Sequence, residues 1–294
     1  MNQAPFRWPD DNVMAVCPIV AWETWPDDLG TRESQQISNR PLLPPNAVYK
    51  RDMWVIHDHE YAEKEGIWRL LDLFDRVDIK ASFVASGRSV ERFPQIAREV
   101  QRRGHEMASE NYIHEYPVMQ NEAAERESIQ KTVAAFEQVL GQRPLGYISP
   151  GHRPTDKTLG IIAEAGYIWD ADFQDRDTAS VEEVSGKLIV GMTYAHVSDY
   201  MTYQIISRTP REVLQILKDE FDVLYAEGVA GKPKMMGYAF HPFLCHGFRT
   251  KPLEEFFQYA KSFSKVWFPT RIEIAKWCLE QYEAQHKAIG TAKV

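Results

Sequence analysis

The sequence predicts a single α/β domain, a parallel sheet with helices outside it, and three observations carry that reading. Apolar runs of strand length alternate along the whole chain with amphipathic stretches of helical period, the pattern of repeated βα units. The run from Asn12 to Trp22 is apolar almost throughout, which suits a strand covered on both faces. At 294 residues and 44% hydrophobic composition, the chain can bury one large core.

Glu23 follows the first strand directly. From Pro26 to Lys50 the chain is rich in Pro, Asp, Asn and Arg and has no apolar period, so a lid or a subunit contact near the site is expected there. Ile67, Leu70, Leu71 and Phe74 stand at i, i+3, i+4 and i+7, one helical stripe. Lys80 to Val84 reads as the second strand. Phe93-Pro94 opens a helix carrying Ile96 and Val100, and Gly104 stops it, as glycine at C′ commonly does. His105 to Ser109 is the third strand. Glu122 to Leu140 turns Ile129, Val133, Phe136 and Leu140 to one face, and Pro144 to Ser149 is the fourth strand. Thr155 is placed to cap a helix ending at Gly166, and Tyr167 to Ala171 is the fifth strand. Strand-like pieces lie at Leu188 to Val190 and His196 to Tyr203. Thr209-Pro210-Arg211-Glu212 is a capping box with proline at N1, opening a helix with Val213, Leu217, Phe221 and Leu224 inward. Met235 to Phe240 is a late strand ending at His241-Pro242. A short strand at Lys265 to Phe268 precedes a second capping box, Thr270 to Glu273, and the last helix.

Composition excludes several function classes. A formal charge of −8, with no Lys/Arg stripe and no nucleic-acid module, speaks against a phosphate-backbone partner. No apolar run approaches the roughly 18 residues of a membrane span, and the start MNQAPFRWPDDN has neither a basic n-region nor an apolar h-region. A cytoplasmic protein with a small-molecule partner is the expectation. Cys17, Cys245 and Cys278 are odd in number, widely spaced and without a C-x-x-C pattern, so they read as reduced thiols. Glycine-rich phosphate loops, serine nucleophile elbows and dinucleotide fingerprints are absent from the sequence.

A barrel gathers its reactive groups at the C-terminal ends of its strands. Those ends carry Glu23, Glu110 and His114, the Ser149 to Arg153 turn, Asp170 to Asp177, Ser198-Asp199 and His241. Glu110 and His114, four positions apart in GHEMASENYIHE, can meet on one face of a helical turn, and both types bind metals or carry protons. His105, just past a helix stop, reads as a backbone-bonded structural residue. His57 and His59 fall before the first helix in a polar loop and read as solvent-exposed, while His152 and His196 lie near the rim. Asp175 and Asp177 follow strand five, where they can bind substrate or orient Arg153.

With these residues in place, the chain resembles the polysaccharide deacetylase superfamily, within it the allantoinase-like and cyclic-imide-hydrolase branch. EGIWRLLDLFDRVDIKASFVASGRSVERFP, GHEMASENYIHEYP, GQRPLGYISPG, LGIIAEAGYIWDAD, YAFHPFL and VWFPTRIEIAKW carry the resemblance in the family's order. It implies a distorted (β/α)7–8 barrel over residues 1–294, hydrolysis of a non-peptide C–N bond, and a homo-oligomer, tetramer or dimer. Glu23 fills the place of the family's general base, but the metal-binding carboxylate would fall at Thr24 or Trp25, which cannot serve. The S-H-G-x-x-H motif reads Ser109-Glu110-Asn111-Tyr112-Ile113-His114, with Glu110 in place of the first histidine. The arginine often found before the Ser-Pro turn is Ile148, with Arg153 close by, and the late histidine before proline is His241.

The resulting expectation is an amidohydrolase of a cyclic amide, imide or ureide. Glu23 is its base, His241 its acid, and Arg153, Asp177 and Asp199 bind substrate. Glu110 and His114, with Glu23 as third ligand, either hold a divalent metal such as Zn²⁺ or serve a metal-independent enzyme. Two alternatives stand beside it. One is a metal-dependent N-deacetylase of an acetylated amino sugar or peptidoglycan fragment; the other is a non-catalytic barrel used as a binding or structural subunit.

Overall fold

β1 (Met14–Trp22) is buried at every position and is the strand around which the sheet is built. One of its edges pairs along Met14 to Val20 with β9 (Lys234–Phe240). Its other edge is divided: β10 (Val266–Trp267) takes Met14 and Ala15, and β2 (Ser82–Ala85) takes Ile19 to Trp22. All three pairings are parallel, as an apolar run without alternation predicts. The structure, a computed structural model, describes residues 7–28, 43–44, 46–49 and 51–291. Most of the 26–50 loop lies outside the described residues.

From β2 the sheet continues in parallel through β3 (Glu106–Ser109), β4 (Gly146–Tyr147), β5 (Trp169–Phe173) and β7 (Lys187–Thr193). β6 (Ser180–Val184) adds the one antiparallel edge among the described strands, turning into β7 through Ser185 and Gly186, both at positive φ. That is the twist-matched two-residue hairpin, and it is hidden in the sequence because Ser-Gly is a weaker signal than Asn-Gly. At the far edge β8 (Val197–Ser198) pairs with β9.

The result is a curled, mixed half-barrel. The chain itself links the edge strand β8 to β7, the strand beside the opposite edge, through Tyr194 to His196. Two contacts hold this join: His196 N donates to Gly237 O at 3.0 Å, and the buried Arg271 guanidinium donates to Thr193 O at 2.9 Å and to Tyr194 O.

Helices α1 (Met53–Tyr61), α2 (Ile67–Val77), α3 (Gly87–Arg92), α4 (Pro94–Arg102), α5 (Glu122–Leu140), α6 (Thr158–Glu164), α7 (Pro210–Val229), α8 (Gly247–Lys261) and α9 (Arg271–Thr291) accompany the sheet. The Thr209 capping box forms as expected, with both reciprocal bonds to Glu212. α8 is not legible in the sequence, because Pro252 interrupts its pattern; the proline sits early in the helix. α1 is equally hidden: it has almost no amphipathic stripe, and it starts where Asp52 accepts from Trp54 N and Val55 N.

Period-two alternation sorts the side chains into two layers. Met14, Val16, Val20 and Trp22 of β1 face out, joining Phe83, Phe240, Leu70, Phe74 and Phe257 under the helices. Ala15, Cys17 and Ile19 face in, meeting Ala108, Ala171, Ala239 and Trp169. The narrow interior is filled mostly by small residues, and its upper end is polar.

Candidate active site

The next inward position past the end of each of three strands carries a charge. On β1 the inward series ends at Glu23; on β3 it runs Glu106, Ala108, Glu110; on β9 it runs Met235, Gly237, Ala239, His241. Strand alternation alone therefore converges these side chains on the barrel mouth. Residues 110 to 116 form bends rather than the helical turn expected from their spacing, yet Glu110 and His114 still meet. Their backbone is pinned instead by Glu110 N on Ala85 O at 3.2 Å and His114 N on Thr24 O at 2.8 Å.

His114 Nδ1 lies 3.0 Å from Glu110 Oε2 and 3.5 Å from Glu23 Oε1. Each carboxylate has its second oxygen tied elsewhere: Ser86 Oγ donates to Glu110 Oε1, and Trp25 Nε1 donates to Glu23 Oε2 at 3.0 Å. Burial pushes His114 toward neutrality, but Glu23 and Glu110 outweigh it and hold the imidazole above its usual range. Burial raises Glu110, with His114 opposing. The ring of His114 also lies on Trp25, with centroids 4.1 Å apart.

His241 is set by a different partner. Asp199 Oδ1 takes its Nδ1 at 2.6 Å, and Asp199 Oδ2 takes its backbone N at 2.7 Å. Nε2 is left facing Glu23 Oε1 at 3.8 Å. Burial acts against the cation, yet Asp199 and then Glu23 carry His241 to about 9, so it is protonated at neutral pH. The turn carrying it rests on Gly66, where a Cβ would come within 1.9 Å of Pro242 O; only glycine lets the helical segment between α1 and α2 approach so closely. Trp22 Nε1 fixes that segment to β1 through Glu63 at 2.9 Å.

Aromatic rings wall the mouth. His59, on α1, stacks on Phe243 at 4.4 Å and meets Trp25 at 5.3 Å, and burial drops it to about 4. It is thus a neutral wall residue rather than the exposed loop residue expected, an error that stems from missing α1; its neighbour His57 is exposed as expected. A cleft of about 150 Å³ opens beside Glu23, lined by Trp25, Arg51, His59, Arg92 and Phe93 among others. A larger groove of about 300 Å³ between α5 and α6 contains none of these groups.

Among the other sequence candidates, Arg153 is exposed at the rim over the Tyr116 ring, 5.9 Å away. Asp199, expected at the substrate, instead spends both carboxylate oxygens on His241, because β8 lies directly beside β9. Asp177 is also corrected: it binds Lys234 at 3.0 Å and His196 at 3.3 Å, beside the first residue of β9, whereas His241 follows that strand's last. Asp175 is tied to Arg176. His105 is structural as expected, with Nδ1 accepting from Ala81 N at 3.1 Å. Thr24 turns away from the mouth, onto Ser89 of α3 at 2.6 Å. Sequence reasoning misses Tyr194, an inward position of the β7 series; Asp172, inside the Asp170 to Asp177 stretch expected at the strand ends, accepts from Ser149 N at 3.1 Å and from Ser149 Oγ at 2.8 Å.

The donor set fits a divalent cation. Glu23, Glu110 and His114 offer two oxygens and one nitrogen, all within 4.8 Å of one another, and the nitrogen stands from each oxygen at the spacing of adjacent ligands with bonds of about 2.1 Å. The same three groups are also satisfied without an ion, as an imidazolium between two carboxylates.

Comparison with known proteins agrees with the fold. The polysaccharide deacetylase family matches residues 46–168. The chain is 27% identical over 117 residues to the peptidoglycan deacetylase of Helicobacter pylori, a stretch spanning 40% of each protein. A Schizosaccharomyces pombe protein, named by its likeness to polysaccharide deacetylases, is 25% identical over 92% of this chain and 91% of its own. The crystal structure of PuuE allantoinase superposes with a TM-score of 0.80 at 28% identity, covering 92% of this chain and 91% of that one. No described helix is long and apolar enough to cross a membrane. A polysaccharide deacetylase family domain is thus matched over residues 46–168, and the likeness of fold extends over most of the chain.

Proposed function

We propose that the chain is a hydrolase of a non-peptide C–N bond in a small cyclic amide, imide or ureide. The observation that carries this is Glu23 Oε1, set between His114 Nδ1 at 3.5 Å and His241 Nε2 at 3.8 Å in a buried mouth. Glu23 accepts a proton from water, and the hydroxide adds to the carbonyl carbon. The N–H groups of His241 and His114 stabilise the oxyanion, and His241 Nε2 then gives its proton to the departing nitrogen as the C–N bond breaks. Glu23, now protonated, returns the proton to His241 across their 3.8 Å separation through one water, so the site ends as it began. Asp199 keeps Nδ1 protonated and Nε2 aimed.

A divalent cation bound by Glu23, Glu110 and His114 would supply a more acidic water and polarise the carbonyl. The leaving group favours a ring substrate over a sugar oligomer, because an imide nitrogen leaves with its charge delocalised onto a second carbonyl. Likeness to PuuE allantoinase supports ureide opening. A second reading, removal of an acetyl group from an amino sugar, draws its support from the likeness to peptidoglycan deacetylase.

Untagged protein assayed against succinimide, hydantoin, allantoin and N-acetylglucosamine oligomers, before and after chelation with metal content measured, separates these. Ring opening by metal-free protein supports the hydrolysis as written. Activity on the oligomers alone, lost on chelation, replaces it with the deacetylase reading, and inactivity on every compound favours a non-catalytic barrel.

A further inference from the structure

The turn from Ser149 to Arg153 is built with more care than a connecting loop requires. Asp172 holds its first residue by both the backbone N and the hydroxyl of Ser149. Gly151 stands at φ 63 where a Cβ would come within 2.4 Å of the Tyr116 ring, so only glycine fits. The next residue, His152, is also left-handed, at φ 53, a region that residues other than glycine seldom enter and in which His, Asn and Asp are the enriched side chains. Backbone cost of this kind persists where surrounding contacts impose it, and it clusters at functional sites.

The turn aims the His152 ring inward. Its centroid lies 4.2 Å from that of Tyr194, the inward residue just past β7, whose phenol feels the charges of Glu23 and Asp199. Nδ1 stands 3.8 Å from Asp172 Oδ1, too far for a hydrogen bond but near enough for the carboxylate to favour a proton on that nitrogen. Burial and then Asp172 raise Asp170, and burial raises Asp172 as well, with Ser149 and a side-chain hydrogen bond from Asp170 opposing. Nε2 is then the lone-pair nitrogen, on a side chain that remains 35% exposed at the mouth. His152 stays neutral at pH 7, since burial first and the His241 cation second lower it to about 4.

His114 and His241 both offer protons to a carbonyl, which leaves the opposite edge of a ring amide without a partner. We propose that His152 is a specificity-determining residue whose Nε2 accepts the ring N–H of the substrate, so that N–H rings are taken and N-alkylated rings refused. This rests on the cyclic-amide reading above and adds the polar group that orients the ring.

The test compares wild type, His152→Phe and His152→Asn on hydantoin and its N-methyl analogues. Phenylalanine keeps the ring on Tyr194 but has no acceptor. Asparagine tolerates the left-handed backbone and checks that the turn survives, as do the melting temperatures of both variants. The expected result is a KM for the N–H ring raised about tenfold in His152→Phe, with kcat within about threefold, and no change for the N-methyl ring. Equal losses on both rings, or a fall in kcat at constant KM, would overturn the proposal. Nitrogen-15 NMR of wild type reads the tautomer without turnover: a proton on Nδ1, with Nε2 shifting when hydantoin is added, is expected, and a proton on Nε2 overturns the assignment. If hydantoin binds in this way but is not opened, the hydrolysis reading fails and the recognition role stands. If it neither binds nor is opened, both fail.

Discussion

β3 carries an inward glutamate at each end, and the two have opposite surroundings. Glu106, at its start, is closed by fixed donors: Ser82 Oγ at 2.5 Å, Ile272 N at 2.9 Å and Trp169 Nε1 at 2.8 Å. Glu110, just past its end, has the Ser86 hydroxyl and otherwise shares His114 with a second carboxylate. Donors at the lower end cannot titrate, so that carboxylate serves to anchor α9 beneath the barrel. Partners at the upper end can gain and lose protons, so charge there is available for chemistry. Burial is common to both; what distinguishes a working site is whether the buried charge is answered by groups that can change.

The sharpest test sets one end against the other. Glu23→Gln keeps the shape of the mouth but removes the base, and kcat should fall about 10²–10⁴-fold with little change in urea stability. Glu106→Ala leaves three buried donors without an acceptor, and urea unfolding should report a loss on the order of 3 kcal/mol or more. A stable, inactive Glu106→Ala protein, or a Glu23→Gln protein that is active but unstable, would erase the distinction.

Asp199→Asn probes the upper end more gently. The amide still touches His241 but no longer favours its cation, so kcat should drop about 10- to 100-fold. In wild type the alkaline limb of the rate should follow His241, with activity falling above about pH 9 as Nε2 loses its proton. In Asp199→Asn that limb should move down toward the ordinary histidine range, and an unmoved limb would assign it to another group.

Much of this is legible in the sequence alone, for reasons that differ by residue. Glu23, Glu110 and His241 sit directly after apolar strands, so the period of two that buries the strand also fixes which way the next charge faces, and His114 is found by its spacing from Glu110. Asp199 is found but misread, because nothing local says that β8 lies beside β9; that is a long-range pairing. Asp177 comes after a strand end in sequence, yet the chain carries it away from the mouth to Lys234. His59 is lost with α1, whose apolar residues form no stripe. Tyr194 lies in the join between β7 and β8, which has no pattern of its own.

The smallest effect is on stability, and its sign is set by His241. Its folded value, about 9, lies above that of a free histidine, near 6.5. The proton is therefore bound more tightly in the folded protein. The stability it contributes is complete below about pH 6.5 and is lost as pH rises through about 9. Asp199 and then Glu23 face the imidazole with charge and Glu110 adds to them, while Tyr200 and Phe243 face it with rings, so the charge dependence comes from these carboxylates. Melting temperature should fall between pH 7 and pH 10 by on the order of a few degrees from this group. His241→Gln cannot titrate and should fall less over the same interval. Parallel melting curves for the two proteins would mean that the Asp199–His241 pair holds no net charge-dependent stability, and that the upper end of the barrel is as fixed as the lower.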